Sequence, residues 1–215
     1  MKKSVYSLVL SDDVVALADR AAARKGISRS AYINEVLARD LAHVTPQMRI
    51  RQIFEDLEKI ADNTALRVMS PPSDAMMSLL GSLAYKYNPT VRYSVELTHK
   101  TEGVIGALKV SFRTQSESFT HTLSEFFYLV SGLENTCAPQ GVSYKTESGR
   151  VTRYLAVPPG KHYSAQETSL AISEYIQMFD RALNAYFSQM PNTEKAARSA
   201  AEVYSVYRRK AKYLI

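Results

Sequence analysis

The first forty residues pack one alternating segment and two amphipathic ones into a stretch too short to close a core of its own. From Val5 to Leu10 the order Val-Tyr-Ser-Leu-Val-Leu places Tyr6, Leu8 and Leu10 on one face at period two, which predicts a β-strand. Ser11, Asp12 and Asp13 suit a helix start, with a capping side chain followed by acids at the positive end of the helix dipole. Val14, Leu17, Ala18, Ala21 and Ala22 form an apolar stripe, and Arg24-Lys25-Gly26 closes it with basic residues and a glycine able to take positive φ. The predicted helix is about 13 residues long. Ser28-Arg29-Ser30 then caps a second helix whose buried face is Tyr32 or Ile33, with Val36, Leu37 and Leu41, and which ends before Pro46. One strand and two short helices cannot bury these faces alone, so the segment needs a partner chain.

At 215 residues the chain exceeds the usual single-domain size, so a small module plus one medium domain is expected. Hydrophobic residues at 46% and charged residues at 22% exclude a disordered or fibrous chain. The net charge of +6 is unevenly spread. Residues 1–45 hold seven Lys/Arg against five Asp/Glu, residues 46–193 fourteen against fourteen, and residues 194–215 six against two. The excess sits at the two ends, either of which could touch phosphate, and the neutral middle gives no such indication. The single Cys137 excludes an intrachain disulfide, and Lys2 and Lys3 precede an alternating segment instead of the apolar run of a secretory leader. A cytoplasmic location is expected. No stretch approaches the roughly 20 apolar residues of a membrane helix.

Further along, Met48, Ile50, Ile53, Phe54, Leu57 and Ile60 recur at helical spacing, which predicts a third helix acting as a connector over 46–72. Ser70-Pro71-Pro72-Ser73 marks a boundary, because the prolines cannot sit inside a helix. A short helix is expected from about Asp74 to Tyr85. Val91–Leu97 and Val104–Phe112 predict a hairpin, Ser118–Leu133 a helix, and Val142–Tyr144 with Val151–Val157 a second hairpin turned at Ser148-Gly149. Ser164 caps a long helix to about Met190, and the tail forms one more. The expectation is an α+β fold: residues 1–45, the connector 46–72, and a C-terminal domain 73–215 of β-hairpins covered by helices.

The first segment resembles the ribbon-helix-helix family, the Arc, MetJ and CopG class of bacterial regulators. The likeness covers residues 5–41 and rests on Leu10-Ser11-Asp12-Asp13-Val14, Gly26-Ile27-Ser28-Arg29-Ser30-Ala31, and Ile33 with Leu37. It implies an intertwined homodimer whose paired strands enter the major groove of double-stranded DNA. It further implies that Val5, Ser7 and Val9 face the bases, while Ser28, Arg29 and Ser30 meet the phosphate backbone at a helix N-terminus. Here the sequence departs from the family, which commonly presents Arg, Lys, Thr, Asn or Gln to the bases. Two valines reach only thymine methyls, which leaves Ser7 and Lys3 as polar readers and assigns specificity to Lys2 and Lys3, to DNA shape or to several dimers bound side by side. The implied function is a dimeric DNA-binding protein acting as a transcriptional regulator. The alternatives are a plasmid or mobile-element partition or transfer accessory, and a protein-interaction module in which the ribbon only dimerises.

The remaining signals are weaker. In the tail, Tyr204, Tyr207 and Tyr213 alternate with Arg208, Arg209, Lys210 and Lys212, either a nucleic-acid contact or an amphipathic helix that packs its tyrosines. His43, His99, His121 and His162 are scattered and, with Cys137, give no zinc or nickel spacing, so no metal or cofactor is expected. Glu55, Asp56 and Glu58 read as a solvated helix face. No nucleophile elbow, P-loop or dinucleotide fingerprint is present, and no enzyme is expected. The C-terminal domain leaves room for a ligand or protein partner.

Overall fold

The computed structural model describes residues 5, 7–69, 72, 73, 75–86, 88–114, 116–137, 142–147 and 149–215. The chain divides into two compact units, Met1–Met48 and Arg49–Ile215. The fold is α+β, with helices α1 (Asp12–Arg24), α2 (Arg29–Asp40), α3 (Pro46–Ala61), α4 (Glu117–Cys137), α5 (Ala165–Ser188) and α6 (Thr193–Lys210). Strands β1 (Arg67–Val68), β2 (Met76–Ser82), β3 (Thr90–Leu97), β4 (Gly103–Phe112), β5 (Tyr144–Glu147) and β6 (Arg150–Val157) form one antiparallel sheet in the order β1-β2-β3-β4-β6-β5.

In the first unit α1 and α2 stand where the sequence predicts. Both close by the same device. At α1, Gly26 takes φ +65° while the Gly26 and Ile27 amides donate to the carbonyls of Ala23 and Ala22. At α2, Ala42 occupies the same left-handed position at φ 50°, with the Ala42 and His43 amides donating to Arg39 and Ala38. The strand predicted over Val5–Leu10 is not formed: among the described residues 5 and 7–10 lie in no strand and are exposed, with Tyr6 outside the description. A strand exists only as one side of a hydrogen-bonded ladder, and among the described residues this segment has no ladder partner.

The second unit departs from expectation in two places. Residues 46–72 are not a connector, because Ile50, Ile53, Phe54, Leu57 and Ala61 of α3 are buried in the unit's core. The boundary accordingly falls after Met48. The Ser70–Ser73 run, whose residues 70 and 71 lie outside the description, separates β1 from β2, which are paired neighbours in the sheet. The helix predicted over Asp74–Tyr85 is strand β2 instead. Met76-Met77-Ser78-Leu79-Leu80 carries apolar residues on both faces, so its local pattern fits either period. Pairing with β1 on one side and β3 on the other decides for the strand. Backbone approach adds a constraint, since a Cβ on Gly81 would lie 2.9 Å from Asp180 Oδ1.

The two predicted hairpins are present but fuse into one sheet, because β4 pairs with β6 along most of its length. Their inward faces, with Val91, Tyr93, Val95, Leu108, Val151 and Leu155, meet α3, α4, α5 and α6. Helix α5 is the hub of this core. Ser164 and Glu167 form the capping box that starts it, and thirteen of its residues are buried. Phe179 stacks edge-on against Phe126 of α4 at 5.4 Å, one of several aromatic contacts that bury rings at roughly 1.5 to 3 kcal/mol each. Among the described residues no helix is long and apolar enough to cross a membrane.

Candidate nucleic-acid interface

The residues that the sequence assigns to DNA divide between a helix end and an extended segment. Ser28 caps α2, its hydroxyl oxygen accepting from the Ala31 amide at 3.2 Å. The amides of Arg29 and Ser30 belong to the first turn, which has no intrahelical acceptors, and both residues are exposed. A helix end with free first-turn amides is one at which an anion can be held. Val5 and Val9 are fully exposed and Ser7 is exposed, while Lys2 and Lys3 lie outside the described residues.

Arg29 does not stand free for phosphate. Its Nε and Nη2 donate to Oδ1 and Oδ2 of Asp19 in a two-pronged bond that ties the start of α2 to α1. The hydrogen bond from Arg29 holds the Asp19 carboxyl below its ordinary range, and the same bond raises the guanidinium. The pair leaves this corner with little net charge. Arg29 positions the helix, and the exposed groups left at this helix end are two backbone amides and the Ser30 hydroxyl.

The most telling feature of the unit is what it leaves uncovered. Among the described residues of the unit only Ala18, Ala22 and Ala38 are buried hydrophobics, the small residues where α1 and α2 meet. Leu17 is 58% exposed, Leu37 50% and Leu41 75%, although each lies on a face that the helical pattern marks as apolar. Ten of the fifteen large hydrophobic side chains exposed among the described residues lie in these 48 residues. A concentration of that kind marks an interaction surface.

In the second unit, the structure gathers a polar cluster that sequence reasoning did not single out. Arg153 of β6 donates from Nε to Glu134 of α4 at 2.9 Å, and the Tyr175 hydroxyl donates to the other Glu134 oxygen at 2.5 Å. The Arg153 guanidinium lies 4.2 Å from the Tyr175 ring centroid and also donates to the Ile215 carbonyl. Burial, reinforced by the Glu134 charge, pushes the Tyr175 and Tyr144 hydroxyls up, so both stay protonated. Desolvation opposes the Arg153 charge, but Tyr175 and Glu134 outweigh it and raise the guanidinium. The bonds of this cluster join α4, β6, α5 and the last residues. The signal was present in the sequence: Glu134 continues the stripe of Leu123, Phe127 and Val130, and Arg153 alternates with Val151 and Leu155 on the inward face.

The basic tail resolves towards packing. Tyr204 is buried, Tyr207 packs on the core, and Tyr213 meets Tyr163 edge-on at 5.3 Å. These rings are not a stacking platform. Among the described residues no group of His, Cys, Asp or Glu is arranged to hold a metal ion. No significant match is found among protein-family models, curated proteins or solved structures.

Proposed function

We propose that the chain is a dimeric DNA-binding protein, a transcriptional regulator of ribbon-helix-helix type in which Val5–Leu10 pairs with its counterpart in a second copy. The observation that carries this reading is the uncovered apolar face of α1 and α2, in a unit whose two helices both close in a left-handed turn. Pairing two copies covers Leu17 and Leu37 and supplies the ladder that Val5–Leu10 lacks. The two-stranded ribbon then fits the major groove, and the first turn of α2 meets the backbone. With Arg29 held by Asp19 and two valines on the groove face, the ribbon's contribution is mainly shape and backbone contact.

A second reading has its own support: the neutralised Arg29 and the apolar Val5 and Val9 equally suit a ribbon that only dimerises, with activity in the second unit. Titration of the full chain against mixed-sequence duplex from low to physiological salt separates the two. The regulator reading expects binding whose affinity falls steeply with salt, and selection from random duplexes should recover a site with twofold symmetry. A dimer with no salt-dependent binding would leave the interaction module.

A further inference from the structure

In the second unit the core gathers on one face of the sheet, and the other face carries mostly polar and partly exposed side chains, with Thr152 and Ala107 buried among them. Strand alternation sorts the other face into rows that run across neighbouring strands. One row spans the whole sheet in the order Arg67, Leu80, Arg92, Ser111, Arg150 and Glu147. The next holds Ser78, Ser94, Lys109, Thr152 and Lys145. The third holds Met76, Glu96, Ala107 and Tyr154. Five cations therefore share this face with two carboxylates.

The ion pairs on the face leave an ordered remainder. Lys109 neutralises Glu96 at 2.6 Å and Lys145 neutralises Glu147 at 2.8 Å, with Arg150 at 3.9 Å from the same carboxylate. Arg67 and Arg92 are exposed and have no acidic partner among the described residues. The three guanidinium groups in excess all stand in one row, on β1, β3 and β6. Strands lie about 4.8 Å apart, so successive arginines are roughly 10 Å apart and the row is roughly 19 Å long. That length matches five to six base-pair steps of about 3.4 Å.

We infer that this face is a second DNA-binding surface, one that grips the phosphate backbone of a duplex through Arg67, Arg92 and Arg150. Guanidinium forks suit phosphate oxygens better than point charges do. Among the described residues the face offers one exposed aromatic ring, Tyr154, where stacking of a single strand uses several in succession. A second copy docking here about a twofold axis would set like charge against like. The surface is distinct from the first unit and does not depend on a ribbon forming there. Charge counting along the chain hides it, because residues 46–193 are balanced at fourteen against fourteen while strand alternation gives this face a positive excess.

The test is fluorescence anisotropy of the full chain on a 30-base-pair mixed-sequence duplex, with affinity followed across salt concentration. An Arg67→Ala, Arg92→Ala, Arg150→Ala variant should show a log–log salt slope shallower by about 2 to 3, near 0.9 for each phosphate that is no longer neutralised. A triple Arg→Lys variant at the same positions should keep most of the slope, which guards against misfolding as the cause. A Lys59→Ala, Lys161→Ala, Lys195→Ala variant removes the same charge from exposed positions outside the sheet and should change the slope less. Equal losses in the two alanine triples, or tighter binding to the matching single strand, would overturn the inference. A Lys3→Ala, Arg29→Ala variant keeps the outcomes separable. If it alone weakens binding, the sheet inference falls and the first-unit reading stands; if only the sheet variant does, the reverse holds.

Discussion

The two units solve the burial problem in opposite ways. Residues 49–215 close their own core, with Phe54, Tyr93, Leu123, Tyr175 and Phe179 almost fully withdrawn from solvent. Among its described residues the first unit buries only three alanines as hydrophobics and leaves Leu17, Leu37 and Leu41 in the open. Its local structure is nevertheless well determined, down to matched closures at Gly26 and Ala42. Local signals thus suffice to shape two helices, while stability must come from elsewhere.

The contrast breaks most severely if the second unit's buried ion pair is disturbed. Glu134→Gln strands the Arg153 charge in a site where Nη1 already has no partner, and should cost about 3 to 5 kcal/mol in urea unfolding. Replacing both partners with apolar residues, Glu134→Leu with Arg153→Met, should recover much of that loss. A double variant as unstable as the single one would show that the pair's own attraction, and not avoidance of a lone buried charge, holds α4 to β6. Dimerisation through the first unit should survive both variants in sedimentation velocity.

Truncation on the first unit's open face gives the next largest effect and tests the comparison itself. An exposed leucine on a monomer contributes within about 0.5 kcal/mol when cut to alanine. A leucine in a shared core costs about 2 to 5 kcal/mol. Leu37→Ala, with Leu17→Ala as its companion, should therefore shift the full chain from dimer towards monomer in sedimentation, with a melting point that depends more steeply on protein concentration. Unchanged association would mean that the two faces serve some other partner.

What was legible in the sequence follows the same division. Helices α2 and α5 were readable because caps and period agree at each, as at Ser28 with Gly26 before it and Ser164 with Glu167 after it; α1 was readable from its apolar stripe and Gly26, since Ser11 makes no side-chain cap bond, and α6 from its amphipathic pattern. Strand β2 was not, since Met76–Leu80 is apolar on both faces and only its neighbours across the sheet choose the period. The role of α3 was hidden for a similar reason: an amphipathic stripe announces that something covers it, not what. The arrangement at Arg29 was also hidden. The sequence places a guanidinium at the start of α2, but the helix turn that brings Asp19 against it ten positions away is a tertiary fact.

The smallest expected effect sharpens the comparison at the two helix ends of the first unit. Gly26 and Ala42 occupy the same position in the same closing turn, and only one of them suits it. An alanine in the left-handed region carries about 1 to 2 kcal/mol of steric cost, offset by roughly 0.5 to 1 kcal/mol of lower entropy in its unfolded chain. Ala42→Gly should therefore stabilise the first unit by up to about 1 kcal/mol, and Gly26→Ala should destabilise it by a similar amount, both read from urea unfolding of the full chain. The reciprocal signs matter more than the sizes. If Ala42→Gly destabilises instead, the strained turn at 42 is being held by contacts that a single copy of the first unit does not possess, and the face that it borders is covered in the working assembly.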